Sequence, residues 1–456
     1  MKKLDSQALM RQLRAHPRAK AVDLCTQLGG INQSTLSRAL QKLGDQVIAR
    51  GGSRRVRYAL RRELRGQTVA LPLYRIDAQG RGAQIGMLDC IAPEGTALTL
   101  QQPLDWPLPD AMRDGWFDGV PYPLLDMRPQ GFLGRDFARR CAGTLGVPEN
   151  PEQWSDDDIL HVLSVVGSDL PGDLILGEEA YRRFLLEKST PSRHAITPAQ
   201  IAQHYPQRAA EALTAGHAGS SAAGEFPKFL ASRLIDGQPV EMLVKFSGAE
   251  KSAAVQRWSD LLVCEHLALQ TVQARLGITA AHSEIHQAAG RTFLEVIRFD
   301  RHGAFGRSGV CSLQSINGGL LGMASTAWNK AALKLQQAGW LSAQDARAIE
   351  VLWWFGRLIG NTDMHDGNLA FRPGLKLAPV YDMLPMLYAP ARGGEIPARS
   401  FAPALPLPAE APAWEHAAHA AQTYWQECAS DVRISTTFRK ICRDNGVKVM
   451  ALLEQM

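Results

Sequence analysis

The sequence has little of several things, and each shortage removes a class of protein. No stretch approaches about 18 consecutive apolar residues, so a membrane-spanning helix is not expected. Met1-Lys2-Lys3-Leu4-Asp5 runs straight into a polar helical pattern with no apolar leader, which points to a cytoplasmic protein. Seven cysteines, at 25, 90, 141, 264, 311, 428 and 442, are odd in number and contain no C-x-x-C pair. That argues against a disulfide framework or a zinc site and for reduced thiols. Net charge is also small, +5 over 456 residues, but it is unevenly spread. Residues 1–66 hold 15 Lys and Arg against 4 Asp and Glu, so the remaining 390 residues sum to −6. Such asymmetry marks an end that binds nucleic acid.

The pattern of that basic end agrees with its charge. Asp5 to Ala15 and Ala21 to Leu28 read as short amphipathic helices, Gly29-Gly30 as a turn, and Asn32 to Leu43 as a third helix with Leu36, Leu40 and Leu43 inward. Its outward residues, Gln33, Ser34, Thr35, Ser37, Arg38 and Lys42, suit base edges and phosphates in a major groove. Val47 to Leu60 then reads as two strands around Gly51-Gly52-Ser53, a basic wing whose Arg50, Arg54, Arg55 and Arg57 would grip phosphate or enter the minor groove. The expectation is a winged helix-turn-helix over residues 1–66 that binds double-stranded DNA. The alternative is a helical protein-docking module with a solvated basic face.

Near the other end, an apolar helical run from Ser342 to Gly360 gives way to Asn361-Thr362-Asp363-Met364-His365-Asp366-Gly367-Asn368-Leu369-Ala370-Phe371, and an apolar segment, Leu377 to Val380, precedes Tyr381-Asp382. Phosphoryl transfer from a nucleotide asks for one carboxylate facing the attacking hydroxyl and oxygen ligands for magnesium. Asp363 fits the first role; Asn368, five residues on, and Asp382 fit the second. Alone, an Asp and an Asn at this spacing make a turn far more often than a catalyst. Upstream, the matching parts stand in order: small residues Gly219 to Gly224 that would let backbone amides approach phosphates, a strand ending on Lys245, a helix Ser252 to Gln270 offering Glu265 as its partner, and a strand Thr292 to Arg301 whose backbone at Ile297 and ring at Phe299 would line an adenine slot.

With these residues in place the chain resembles the HipA-like serine/threonine kinases, best known as toxins of bacterial toxin-antitoxin systems. The resemblance rests on Ser221-Ala222-Ala223-Gly224 through Lys228, Val244-Lys245, Cys264-Glu265, Arg298 to Arg301, Asn361-Thr362-Asp363 through Asn368, and Tyr381-Asp382, and covers about residues 70–456. It implies Asp363 as the catalytic aspartate, Asn368 and Asp382 as magnesium ligands, and Ser221, Ala222, Ala223, Gly224, Lys245, Glu265, Ile297, Phe299 and His365 as the ATP-facing set. It further implies autophosphorylation of Ser221, which expels the loop, and a protein substrate such as an aminoacyl-tRNA synthetase or another translation factor. Phe226-Pro227 departs from the family's Gln-Glu before the loop lysine, and proline removes an amide donor.

The expected fold is α+β: a winged helix at 1–66, a HipA-like N-terminal subdomain at 67–190, kinase small-lobe elements at 191–300 and a helical catalytic lobe at 301–456, together a bilobal body. ATP and magnesium are the expected cofactors, DNA and a protein substrate the expected partners, with a separate antitoxin possible. Two rivals are a DNA-binding regulator whose inactive kinase body senses nucleotide, and a small-molecule kinase, since D-x-H-x-x-N also fits that class.

Overall fold

A computed structural model describes residues 4–52, 55–67, 70–190, 195–216 and 226–456. Their contacts fall into two units of mixed helix and sheet. The first is Met1–Ile76, Arg81–Arg128 and Ala142–Thr190; the second is Asp77–Gly80, Pro129–Cys141 and Pro191–Met456.

In the first unit, Leu9, Leu13, Leu24, Leu36 and Leu43 recur at helical spacing and are buried together. They belong to α1 (Ser6–Ala15), α2 (Ala21–Gln27) and α3 (Gln33–Leu43). The Asp5 side chain accepts from Gln7 N (3.1 Å) and the Asn32 side chain from Thr35 N (2.8 Å), which satisfies orphan amides and fixes where α1 and α3 begin. Strands β1 (Ala19–Lys20), β2 (Val47–Arg50) and β3 (Arg57–Leu60) make an antiparallel sheet in the order β1-β3-β2. A second sheet, order β7-β6-β5-β4-β8, is built from β4 (Leu71–Ile76), β5 (Gly82–Cys90), β6 (Thr96–Leu100), β7 (Trp116–Phe117) and β8 (Leu174–Leu176). The helices of this stretch of sequence are α4 (Tyr122–Leu125), α5 (Gly131–Leu145), whose residues up to Cys141 count with the second unit, α6 (Asp156–Val166) and α7 (Glu178–Ser189). Residue 66 is not a packing boundary: Ile48 and Ala59 of the β2-β3 hairpin share an apolar cluster with Ile91, Ala97 and Trp116, and Ala92 N donates to Leu60 O (2.8 Å).

The second unit opens with α8 (Ile201–Gly216), then β9 (Lys228–Ile235), β10 (Gln238–Phe246), α9 (Ala253–Thr271), β11 (Ser283–Ala288) and β12 (Arg291–Ile297). The four strands form an antiparallel sheet in the order β11-β12-β10-β9. Alternation along β10 sends Met242, Val244 and Phe246 into an apolar cluster with Tyr205 of α8 and sends Lys245 to the opposite face. Short strands β13 (Arg301–His302), β14 (Gly306–Arg307) and β15 (Cys311–Ser312) lead to α10 (Leu313–Ile316), α11 (Trp328–Gln337) and α12 (Ala343–Leu358). Strands β16 (Ala370–Arg372) and β17 (Lys376–Leu377) then pair in the order β15-β16-β17, and α13 (Ala411–Ser430) and α14 (Thr436–Leu453) close the unit. Trp414, Tyr424, Trp425 and Phe438 are fully buried in this helical part, and Trp425 Nε1 donates to Leu358 O (3.0 Å) at the end of α12.

All seven cysteines are buried and unpaired. Among the described residues no helix is long and apolar enough to cross a membrane.

Candidate active site

Three segments far apart in sequence meet at Lys245. Its ammonium donates to both oxygens of Glu265 on α9 (2.7 and 2.8 Å) and also to Asp382 Oδ1. The bidentate contact uses the period-two exposure of Lys245 on β10 and the inward face of α9, where Glu265 is 1% exposed. Burial works against the Lys245 charge, but the Asp382 and Glu265 carboxylates more than offset it and hold the ammonium above the ordinary lysine value. Burial likewise opposes the charge on Asp382, yet Lys245 and then Lys228 hold its carboxyl below the usual range. Glu265, the more deeply enclosed carboxylate, is lifted by burial despite Lys245.

The loop bearing Asp363 is built by hydrogen bonds within itself and to its surroundings. Helix α12 stops where Gly360 takes a left-handed φ of 73°, and Asn361 N reaches back to Gly356 O (2.8 Å). Asn361 is buried; its Oδ1 accepts from Asp363 N (3.0 Å), and its amide nitrogen lies 3.5 Å from Asp382 O. Asn368 donates from Nδ2 to Asp363 O (2.9 Å), which closes the five-residue turn and leaves its carbonyl oxygen as the atom of that amide suited to a cation. His365 Nδ1 accepts from Gly367 N (3.0 Å), and Tyr381 OH donates to Gly367 O (2.8 Å), tying the turn to the residue before Asp382. Asp382 itself sits at φ 57°, a conformation a non-glycine residue adopts at a cost of order 1–3 kcal/mol and one that clusters at functional sites.

Hard cations take oxygen ligands, and the carboxylate of Asp382 and the amide oxygen of Asn368 are donors of the kind magnesium takes. Asp363 is exposed.

The expected hinge strand is shorter than the sequence implies. β12 ends at Ile297, whose N–H goes to His282 O (2.9 Å), while Arg298 N turns to Glu241 O (2.9 Å). Asp300 then gathers Arg298 (2.9 and 3.1 Å) and Arg301 (2.7 Å), a local ion cluster that bends the chain out of the sheet. Phe299 is left with its ring 5.9 Å from that of Tyr381. Ser221, Ala222, Ala223 and Gly224 lie outside the described residues. At the root of that loop Phe226 is buried edge-on against Trp258 (4.6 Å) of α9, and Phe246 N donates to Pro227 O (3.1 Å). The departure from the family pattern is therefore a packed aromatic anchor.

In the first unit, Gln33, Ser34, Ser37, Arg38 and Lys42 are exposed on α3 and Thr35 is half-buried, one polar face as read from the sequence. The wing differs. Arg50 turns inward to Asp89 (3.2 Å), which is 2% exposed and also takes Arg61 (3.0 Å). Arg57 donates to Arg18 O (3.0 Å). Arg55 stays largely exposed, 3.9 Å from Asp114, and Arg54 lies outside the described residues. Arg50 therefore ends on an aspartate of the central strand β5 and Arg57 on a backbone carbonyl, so two of the arginines expected to face phosphate have partners within the unit.

Two family models match the chain: the HipA-like C-terminal domain over residues 220–448 and the middle domain of YjjJ-like toxins over residues 67–185. The toxin YjjJ of Escherichia coli (strain K12) is 36% identical over 431 residues, 93% of this chain and 94% of that protein. The chain belongs to the HipA-like toxin family. A HipA of Shewanella oneidensis MR-1, solved in complex with HipB and operator DNA, superposes with a TM-score of 0.50 at 14% identity over 84% of this chain and 97% of that one, a likeness of fold.

Within this HipA-like chain, sequence reading passed over two residues that support the loop. Asn317 donates from Nδ2 to Asp366 (2.8 Å), and Trp328 Nε1 donates to His365 O (3.2 Å). Both lie more than thirty residues upstream, and no spacing rule connects them to the loop.

Proposed function

We propose that this HipA-like toxin is an ATP- and magnesium-dependent protein kinase that phosphorylates serine or threonine, its own Ser221 included, and that its N-terminal helices bind operator-type DNA. The observation that carries the kinase reading is the convergence of Lys245, Glu265 and Asp382 beside the Asp363–Asn368 turn. Magnesium-bound ATP would supply the phosphoryl group and the cation that balances its charge. Lys245, kept charged, holds phosphate oxygens and is itself aimed by Glu265. Asn368 and Asp382 provide oxygen donors, and Asp363 accepts or orients the proton of the attacking hydroxyl. Because such transfer rests on positioning and electrostatics, the hydrogen bonds that fix the turn matter as much as the groups themselves.

The DNA reading is supported by the polar, exposed face of α3 and by the basic balance of residues 1–66. In the Shewanella complex a HipB accompanies HipA on its operator; here the DNA-binding part would be built into the toxin chain, with a separate antitoxin still possible. The substrate would be a protein of the translation apparatus, an aminoacyl-tRNA synthetase being the family expectation.

The test is incubation of the full chain with γ-labelled ATP, with magnesium or with EDTA, followed by mass spectrometry of the protein. Magnesium-dependent label on Ser221 supports the kinase. Tight nucleotide binding with no label on the chain or on translation proteins would overturn it in favour of a nucleotide sensor, a reading to which the anchored Phe226 lends itself. Label that goes to small molecules alone would mark a small-molecule kinase.

A further inference from the structure

Asn317 and Asp366 are almost completely enclosed, 1% and 3% exposed, and joined by a single hydrogen bond of 2.8 Å. Asp366 lies between Asp363 and Asn368, the two residues whose spacing defines the turn. Asn317 opens a π-helical segment, Asn317–Leu321, that ends at Gly322 with a left-handed φ of 58°. Single-turn π segments recur at functional sites because they re-aim one side chain out of helical register. Here the first residue of the segment, Asn317, is the one whose side chain reaches the loop. The remaining polar atom of each group, the amide oxygen Oδ1 of Asn317 and the carboxylate oxygen Oδ1 of Asp366, is buried with no hydrogen-bond partner among the described residues. A buried carboxylate held by one amide is costly, and it persists only where the surroundings over-determine it. It also makes the contact directional: an amide nitrogen facing a carboxylate oxygen has one good arrangement, which sets the azimuth of the loop at its midpoint. Trp328, through its bond to His365 O, fixes the neighbouring peptide.

We propose that Asn317 and Asp366 are a positioning pair for the phosphoryl-transfer turn, holding Asp363 and Asn368 in mutual register without touching nucleotide or substrate. The inference rests on the kinase reading of that turn for its catalytic consequence, while its structural consequence stands apart from turnover. Asn317→Asp places two carboxylates face to face, and Asn317→Ala leaves the Asp366 carboxylate with no donor. Either change should lower kcat about tenfold to a hundredfold, the scale of a loop misplaced by roughly an ångström. Nucleotide affinity should stay within about threefold, because Lys245 and Asp382 are untouched. The exchanged double variant, Asn317→Asp with Asp366→Asn, rebuilds the bond with donor and acceptor reversed and should recover most of the lost kcat.

Hydrogen exchange of amides 363–369 in the same proteins, without nucleotide, reads the pair independently of activity. It should accelerate about tenfold or more in each single variant and return towards the parent rate in the exchanged pair. Folded single variants with parental exchange in 363–369 would overturn the proposal whether or not the parent transfers phosphate. A loss of kcat that the exchanged pair fails to recover, with exchange restored, would overturn the positioning role. A parent that shows no transfer while exchange follows the expected pattern would sink the kinase reading alone.

Discussion

In the second unit a lysine and two carboxylates from three separate segments converge on one point, whereas in the first unit five arginines of the basic end fan out to four aspartates. Lys245 has Glu265 and Asp382; Arg18, Arg50, Arg61, Arg62 and Arg65 have Asp118, Asp89, Asp89 again, Asp157 and Asp158. Convergence concentrates charge at one point, which on the proposed function is the nucleotide site. Divergence neutralises it and fastens a basic module to the residues beside it. A charge count taken along the sequence registers the first as a slight anionic balance and the second as excess cation, and shows the geometry of neither, since it counts charges without their partners.

The strongest way to break the contrast is at Asp363. Asp363→Asn keeps the turn's backbone bonds, which come from its N–H and C=O, and removes only the carboxylate. Phosphoryl transfer should fall about 10³-fold, within the range for loss of a general base, with nucleotide affinity unchanged. Unchanged autophosphorylation in a single-turnover assay would mean that the convergent site is not the reacting one. In cells, the same change should relieve any growth arrest caused by overexpression.

Next in size is the Lys245 cluster. Glu265→Gln retains shape but halves the negative charge around the ammonium, so Lys245 should move towards Asp382. kcat/KM should drop about tenfold to a hundredfold, with KM for ATP carrying much of it. Lys245→Ala should do at least as much and should also lower the thermal midpoint, because the two carboxylates lose the cation bonded to both. An unaltered KM for ATP in both variants would show the cluster to be a structural device like those of the first unit.

How much of this was legible in the sequence follows the same divide. The helices α1 to α3, α9 and α12 stand within a residue or two of where apolar periodicity places them, since that signal is local. The closeness of Asp363 and Asn368 was readable because both stand on one five-residue turn, which the Asn368 bond to Asp363 O closes. The early end of β12 was not, because Asp300 clamps two arginines only once the chain bends. Nor were Asn317 and Trp328, whose partners are 49 and 37 residues away. The destination of Arg50 depended on Asp89, 39 residues further on and in another sheet.

That destination can be sharpened with a smaller effect. Arg50→Ala leaves the enclosed Asp89 with Arg61 alone, and should lower unfolding free energy by about 1–2 kcal/mol, measured as a shift in denaturant midpoint at constant m-value. Affinity for DNA should stay within about twofold. A variant as stable as its parent but weakened on DNA would put Arg50 back among the phosphate contacts.

The smallest expected effect is the most discriminating, because it counts contacts. Each phosphate neutralised contributes about −0.9 to the slope of log affinity against log salt. Were Arg38, Lys42, Arg50, Arg54, Arg55 and Arg57 all on phosphate, a fourfold rise in salt would cost roughly two-thousandfold in affinity by that rule. With Arg50 and Arg57 spent on Asp89 and on Arg18 O, at most four remain, and the cost should be about 150-fold. Arg55→Ala should then flatten the slope by about one unit, while Arg57→Ala should leave it alone. Arg38→Ala or Gln33→Ala, on the exposed face of α3, should reduce preference between operator-type and random duplexes and leave the nonspecific baseline in place. Gel-shift titrations of these variants at several salt concentrations separate the outcomes. A slope that Arg57→Ala flattens as much as Arg55→Ala would mean that the hairpin leaves its internal partners when it meets DNA. A full chain with no salt-sensitive binding would mean that the basic end serves only to fasten the first unit together.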